Sequence, residues 1–301
     1  MPGPMPVQLK LLLAAVFWGA TPTIGRVLAS YEAPVVVVCA RFVVAALFLG
    51  WFAAAARQFT RVPRRSWWRF AVLGLTGIVL HNGLMYKGLE TTSATSASLI
   101  LALIATQVVL LDLCLYRRLP DRLTLAGVVL AFAGTAWVLV DGQPGAFGAL
   151  QLGAGEILIF LSGLSWAVYS VVGRELLEEH SPLLVTTYAV FVGVVMMAPV
   201  FALQPAATVA IAGDPRALAL IFFLGYGGSA LGFLWYYQAV VELGTVGAAV
   251  YINLVPLFGV LSAALFLGEE AGGAVLVGGA LVLSGLMLVN RPWVARAPRE
   301  P

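Results

Sequence analysis

The strongest metal ligands and nucleophiles in this chain are few: two histidines, His81 and His180, and two cysteines, Cys39 and Cys114. No His-Glu-x-x-His run, no carboxylate cluster at depth and no Gly-Lys-Ser/Thr phosphate loop occurs, so metal, nucleophilic and nucleotide chemistry lack their parts. No metal and no cofactor is expected. Both cysteines lie inside apolar stretches and read as small buried hydrophobes. What remains is a set of isolated polar and aromatic side chains deep in apolar surroundings: His81, Asn82, Gln107, Asn253, Ser96, Ser98, Trp18, Trp166 and Tyr169. Such groups can hold a small molecule through hydrogen bonds and ring faces.

Each has a bland reading beside the sharp one. His81 lies about 21 Å along its stretch at 1.5 Å per residue, where an ionisable group is costly and defaults to a functional hypothesis; the alternative is a neutral imidazole bonded to a neighbouring backbone. Asn82 points about 100° away from His81 on a helix. Gln107 and Asn253 are neutral amides that could grip a carboxylate or ammonium, or bond between helices. Trp18 and Trp166 lie at mid-stretch, away from the interfaces where Trp concentrates, and Tyr169 follows Trp166 by one turn. Tyr86 and Tyr237 read as gate or interface-belt residues, with the belt the safer reading. Pro22 and Pro256 break the helical ladder and could free carbonyls or act as hinges. Arg41, seven residues into its stretch, reads as structural, snorkelling outward or paired with an acid. Asp112 is expected to pair with Arg117, Arg118 or Arg122.

The elements that must position these groups follow from composition. Apolar residues make up 61% of the 301 positions and charged residues 10%, with a net charge of +3. That is too little charge to cover a soluble surface, and no basic face exists for nucleic acid. Apolar stretches fall near 8–29, 34–55, 67–88, 93–115, 123–140, 154–174, 183–203, 216–239, 245–267 and 271–290. Lipid requires that they be helices, which gives an all-α integral membrane protein. With both termini cytoplasmic, thirteen Lys and Arg fall inside and three (Arg26, Lys87, Arg216) outside, with Arg41 inside a helix; this is the positive-inside pattern.

The chain also repeats itself. At an offset of 148, Trp18 falls on Trp166, Gly25 on Gly173, Arg26 on Arg174 and Pro34 on Pro182. At an offset of 151, Gly74 falls on Gly225, Gly77 on Gly228, Tyr86 on Tyr237, Ala97 on Ala248, Gly127 on Gly278 and Gly134 on Gly285. Five helices per copy is an odd number, so the second copy enters the membrane inverted. Inverted repeats place a binding site near the midplane between the halves and let it face each side in turn. The expected segments are a first repeat over 7–141, a second over 153–291 and a short cytoplasmic tail, 292–301.

Phe17-Trp18-Gly19, Pro34 with Ala40-Arg41-Phe42, Val255-Pro256-Leu257 and Leu267-Gly268-Glu269 before Gly278 resemble the ten-helix drug/metabolite transporter superfamily of the EamA type, and within it the YddG-type exporters of aromatic and other amino acids. The resemblance covers nearly the whole chain. It departs in two places: the Gly-Glu pair has no partner in the first half, where Arg117-Arg118 stand, and Pro256 falls opposite Ala105. The resemblance implies ten transmembrane helices as two inverted five-helix repeats around a central cavity lined by helices one, three, four, six, eight and nine. It also implies a secondary transporter exporting small zwitterionic or neutral metabolites, amino acids foremost, across the inner membrane. The expected partners are a small-molecule substrate and membrane lipid, with the chain a monomer or weak oligomer. Phosphorylated cargo would want Lys or Arg at depth, and lipophilic cations a buried carboxylate. The rivals are a multidrug or other-metabolite efflux carrier of the same fold, a passive channel and, more remotely, a membrane enzyme.

Overall fold

The apolar stretches are helical over their described residues in the computed structural model, which describes residues 5–28, 31, 33–91, 100–117, 120–145, 153–267 and 273–289. The rods are α1 (Val7–Leu28), α2 (Pro34–Ala55), α3 (Trp67–Leu73, Gly74–Leu80 and His81–Leu89 in line), α4 (Ile104–Tyr116), α5 (Arg122–Leu139), α6 (Ala154–Leu177) and α7 (Pro182–Met197). Rod α8 runs through Pro215–Phe223, Leu224–Leu231 and into Gly232–Ala249. Gly244, at φ +79°, breaks that last helix and turns the chain back, a conformation only glycine adopts without strain. Rod α9 follows, through the 3₁₀ turn Val250–Asn253 and Leu254–Leu267, and α10 is Ala274–Val289. Six described stretches are individually long and apolar enough to cross a membrane.

Local chemistry sets the ends. Pro34 and Pro182 open α2 and α7, where a missing N–H is no loss. Asp121 caps α5, accepting from the backbone N–H groups of Leu123 (2.9 Å) and Thr124 (3.2 Å), and Ser181 caps α7. Asp214 caps α8 through the Arg216 N–H at 2.8 Å. The Tyr31 hydroxyl also donates to it, and that bond first, then the backbone, holds the Asp214 carboxyl below the usual carboxylate range.

Two features were not visible in the sequence. Gly74–Leu80 in α3 and Leu224–Leu231 in α8 are π-helical, with the N–H of His81 bonding Thr76 O and that of Gly232 bonding Gly227 O. Under the offset of 151 these two segments coincide. Wide turns of this kind loosen the carbonyl ladder and gather at functional sites.

The packing has the reciprocity of a local twofold. A Cβ on Gly127 would lie 2.7 Å from Gly285 O, and one on Gly134 would lie 2.5 Å from Gly278 O; Gly278 and Gly285 are the repeat mates of Gly127 and Gly134. Likewise a Cβ on Gly74 would lie 2.8 Å from Val192 and one on Gly225 would lie 2.6 Å from Val44, and Val192 is the mate of Val44. Glycines therefore set how closely α5 approaches α10, and α3 and α8 approach α7 and α2.

Gly134→Ala should lower the melting temperature of the detergent-solubilised protein. Overpacking against a backbone carbonyl costs about 1–3 kcal/mol, more than the gain in helix propensity. Gly279→Ala meets only Leu257 methyls at 3.5 Å and should be neutral or stabilising. Equal melting shifts for the two would show that the α5–α10 crossing tolerates a side chain.

Candidate functional site

The π segments aim side chains from the two repeats at one another. On the α8 side, the Trp18 indole N–H donates to Gly228 O at 2.8 Å, satisfying a carbonyl in the wide turn. On the α3 side, the carboxamide of Asn82 does the corresponding work, donating to Gly77 O (3.3 Å) and Ile78 O (2.8 Å). Gly228 and Gly77 are repeat mates.

Between them the two repeat-related indoles meet: the Trp18 and Trp166 rings are 5.6 Å apart and nearly perpendicular (84°). Trp166 is the hub. Its ring lies 4.9 Å from His81, 5.3 Å from Tyr169, 5.1 Å from Phe233 and 5.1 Å from Tyr236. Tyr169 stacks on Tyr237 at 4.7 Å, and the Tyr237 hydroxyl donates to Tyr169 O at 3.0 Å. The structure thus brings together His81, Trp18, Trp166, Tyr169 and Tyr237. Phe233 and Tyr236, spaced one turn apart on α8, join them without having been singled out; their spacing from Tyr237 was the available signal.

His81 is held as its bland reading supposed. Its Nδ1 lies 3.1 Å from both Ser162 O and Ser162 Oγ, and the Ser162 hydroxyl donates to His81 O at 2.8 Å. The imidazole is nevertheless only half-buried and stays against Trp166. Gln107 donates to Phe160 O at 3.1 Å, tying α4 to α6. Asn253 is tied to α5: the Thr135 hydroxyl donates to Asn253 O at 3.1 Å, and the amide donates to Val250 O at 3.2 Å. Asn82 accepts from Arg41, so Arg41 has found an amide rather than an acid or the surface. Asp112 pairs with Arg174 on α6, at 3.1 Å, because the facing α6 end brings a cation to it; of the arginines expected for it, Arg118 lies outside the described residues. Tyr237 is fully buried, which removes the belt reading for it. Pro256 follows the 3₁₀ turn Val250–Asn253, in the first turn of Leu254–Leu267, a place proline tolerates. Rod α1 continues past position 22; the Pro22 side chain, Ser96 and Ser98 lie outside the described residues.

Several buried polar atoms on these helices make no hydrogen bond of normal geometry: Trp166 Nε1, which adjoins the Tyr236 hydroxyl, the Tyr169 hydroxyl, which adjoins that of Tyr237, Gln107 Oε1 and, in the α8 π segment, Ser229 Oγ. Each is buried, and a buried unmatched group costs about 1–3 kcal/mol.

The two ends of the bundle differ. At the face where α1 begins, the near face, Lys10 donates to Gln238 at 2.7 Å, Arg69 pairs with Glu175 at 3.2 Å, and the Tyr116 hydroxyl donates to Glu175. There Tyr237 presses on Gly173 so closely that a Cβ would collide with its ring and hydroxyl. At the opposite, far face the repeat mates are Gly25 and Tyr86. Among the described residues nothing comes within 4 Å of a Cβ built on Gly25, and Tyr86 is half-buried. A separate cavity of about 500 Å³ opens near the beginning of α1 and the end of α10, lined by Gln8, Leu12, Tyr251, Leu254 and Met287 among others. It does not include the aromatic hub.

Comparison with known proteins gives the family. The model of the EamA-like transporter family matches residues 5–140 and again 153–291. The "Uncharacterized transporter YyaM" of Bacillus subtilis is 27% identical over 97% of this chain and 95% of its own. A "Probable terminal-alkyne amino-acid exporter" of Streptantibioticus cattleyicolor is 31% identical over 81% of this chain and 80% of its own. A crystal structure 18% identical in sequence matches with a TM-score of 0.69 over 95% of this chain and 98% of that one, a likeness of fold. The multi-pass helical chain with its repeat-related indole pair belongs to the EamA-like transporter family.

Proposed function

We propose that this transporter exports small zwitterionic or neutral metabolites, amino acids foremost and aromatic ones among them, by alternating access across the inner membrane. Both termini would be cytoplasmic, as the Lys and Arg distribution favours. The observation that carries the reading is the group of unmatched polar atoms on Trp166, Tyr169, Gln107 and Ser229 at an aromatic junction between the repeats. A zwitterion with an apolar side chain offers partners for the first and ring faces to the second. The relative named as an amino-acid exporter supports the same substrate class.

Alternating access has a physical basis in the two tyrosine–glycine pairs. Tyr237 seals against Gly173 at the near face, while the mates Tyr86 and Gly25 stand apart at the far face. In this reading the structure is the outward-facing state, and transport exchanges the two contacts. The charged contacts at the near face (Asp112–Arg174 and Arg69–Glu175) would have to part when that side opens. Either substrate or proton gradients could drive the cycle, since the chain carries no nucleotide-binding loop.

Counterflow of labelled phenylalanine and other amino acids into liposomes holding the purified protein tests the substrate class. Flux should be saturable and should fall at least tenfold in Trp166→Ala, with a smaller fall in His81→Ala. Flux of a quaternary ammonium dye with none for any amino acid would replace this reading by multidrug efflux.

Tyr169→Phe separates site from scaffold. The lost hydroxyl makes no hydrogen bond of normal geometry and only adjoins that of Tyr237, so the melting temperature should hold or rise while the apparent KM increases. Tyr237→Phe removes a made bond and should cost about 1 kcal/mol of stability. A lower melting temperature for Tyr169→Phe with KM unchanged would place that hydroxyl in the scaffold.

For the gate, Gly173→Ala should hold Tyr237 off and shift the protein away from the state described. In a chain with Cys39 and Cys114 replaced by alanine, a membrane-impermeant maleimide applied outside should then label Tyr86→Cys more slowly. Unchanged labelling would uncouple the two tyrosine–glycine pairs.

A further inference from the structure

Arg41 sits about 10 Å along α2 from Pro34, at 1.5 Å per residue, and is only 7% exposed. It therefore does not snorkel to either surface. One terminal nitrogen donates to Asn82 Oδ1, while its Nε has no partner at all. The guanidinium also lies 5.1 Å from the Phe42 ring centroid. Neither contact supplies negative charge. Among the described residues no carboxylate comes within ion-pair distance of it: Asp112 is with Arg174, Glu175 and Glu179 are with Arg69, and Glu90 is with Lys87.

An unpaired buried cation is expensive, and an intramembrane one commonly marks a ligand path. If Arg41 only braced α2 to α3, a neutral residue bonding Asn82 would do so without that cost. The Asn82 carboxamide is itself oriented. Its nitrogen is committed to Gly77 O and Ile78 O in the π turn, so its oxygen faces Arg41 and fixes one edge of the guanidinium. The Nε–H, on the side of the same terminal nitrogen that bonds Asn82, is left without a hydrogen bond. An unmatched guanidinium N–H fits a carboxylate, which can bridge neighbouring N–H groups.

The position suits this. Asn82 follows His81, whose ring lies 4.9 Å from Trp166, and Tyr86 lies one turn beyond Asn82 on the same face of α3, toward the far face. A ligand entering from that face would meet Arg41 on its way to the aromatic hub.

We propose that Arg41 is the carboxylate-recognition residue of the transport substrate, with Asn82 as its positioning residue. The substrate's carboxylate docks on the unmatched Nε–H of the guanidinium, and its side chain lies toward His81 and Trp166. This rests on the amino-acid reading above and narrows it: substrates must carry a free α-carboxylate, and their amides and esters are excluded.

The test uses the full-length protein in liposomes. Unlabelled phenylalanine should inhibit labelled phenylalanine counterflow at least tenfold more strongly than phenylalaninamide. Arg41→Gln should abolish that preference by weakening the acid and leaving the amide unchanged, and Arg41→Lys should restore part of it. Because these variants could fail to fold, the wild-type protein is also treated with phenylglyoxal from outside and mapped by peptide mass. Arg41 modification should be slowed by phenylalanine and by phenylacetate, and not by phenylalaninamide. Equal inhibition by acid and amide, a preference retained in Arg41→Gln, or Arg41 that is unreactive or unprotected would each overturn the assignment. Absence of counterflow for every amino acid, with phenylacetate still protecting Arg41, would instead sink the amino-acid reading and leave the carboxylate site standing.

Discussion

Hydrocarbon offers nothing for a polar atom to bond, so every N–H, carbonyl and hydroxyl at depth must find its partner inside the protein or await one from a ligand. This constraint orders the whole molecule. Where the helices widen into π turns, the loosened carbonyls are taken up by Asn82 in α3 and by the Trp18 indole in α8. Elsewhere, buried hydroxyls such as those of Ser165, Ser170 and Thr187 bond back to carbonyls one turn earlier. Against that background, the unmatched atoms of Arg41, Gln107, Trp166, Tyr169 and Ser229 stand out. In the reading proposed above, a passing solute would match them and then leave.

Repeat symmetry converts that constraint into a machine with two faces. The same sequence positions meet as Gly127 with Gly285 and Gly134 with Gly278, and the indoles of Trp18 and Trp166 meet each other. These contacts need not change as the protein works. The tyrosine–glycine pairs are different, because one is made and its mate is not. In the alternating-access reading proposed above, these two contacts would exchange, the second state costing little more than the first because the scaffold is symmetric. Divergence of the halves restricts the exchange: His81 stands where the second repeat has Gly232, so only one π turn ends in an imidazole. The site is thereby given a polar side and an aromatic side, which suits a substrate with distinct ends.

Much of the candidate site could be read from residue spacing. His81, Trp18, Trp166 and Tyr169 were each legible as deep polar or aromatic positions, and the structure gathers them; Tyr237, read as a gate or belt residue, is buried among them. Gln107 and Asn253 were legible as deep amides able to bond between helices, and they do; the tie of Asn82 to its own π turn was not legible, because an amide's role depends on which carbonyl its neighbour leaves open. Asp112 was assigned to arginines near it in sequence, while its partner Arg174 comes from another helix. Proline marked the expected breaks, yet the wide turns occur in glycine-containing segments without proline.

Composition, helical length and the two offsets determined by themselves that this chain is a helical membrane protein built twice over, because apolar transfer and backbone satisfaction are properties of each segment taken alone. Only the tertiary structure decided where the helices widen, that Arg41 bonds Asn82 and keeps an unmatched Nε–H, and which of two repeat-related tyrosine–glycine contacts is made. Those outcomes depend on the distance between one helix and another. Glycine contacts set that distance at the scale of a single methyl group, and no local pattern in the sequence encodes it.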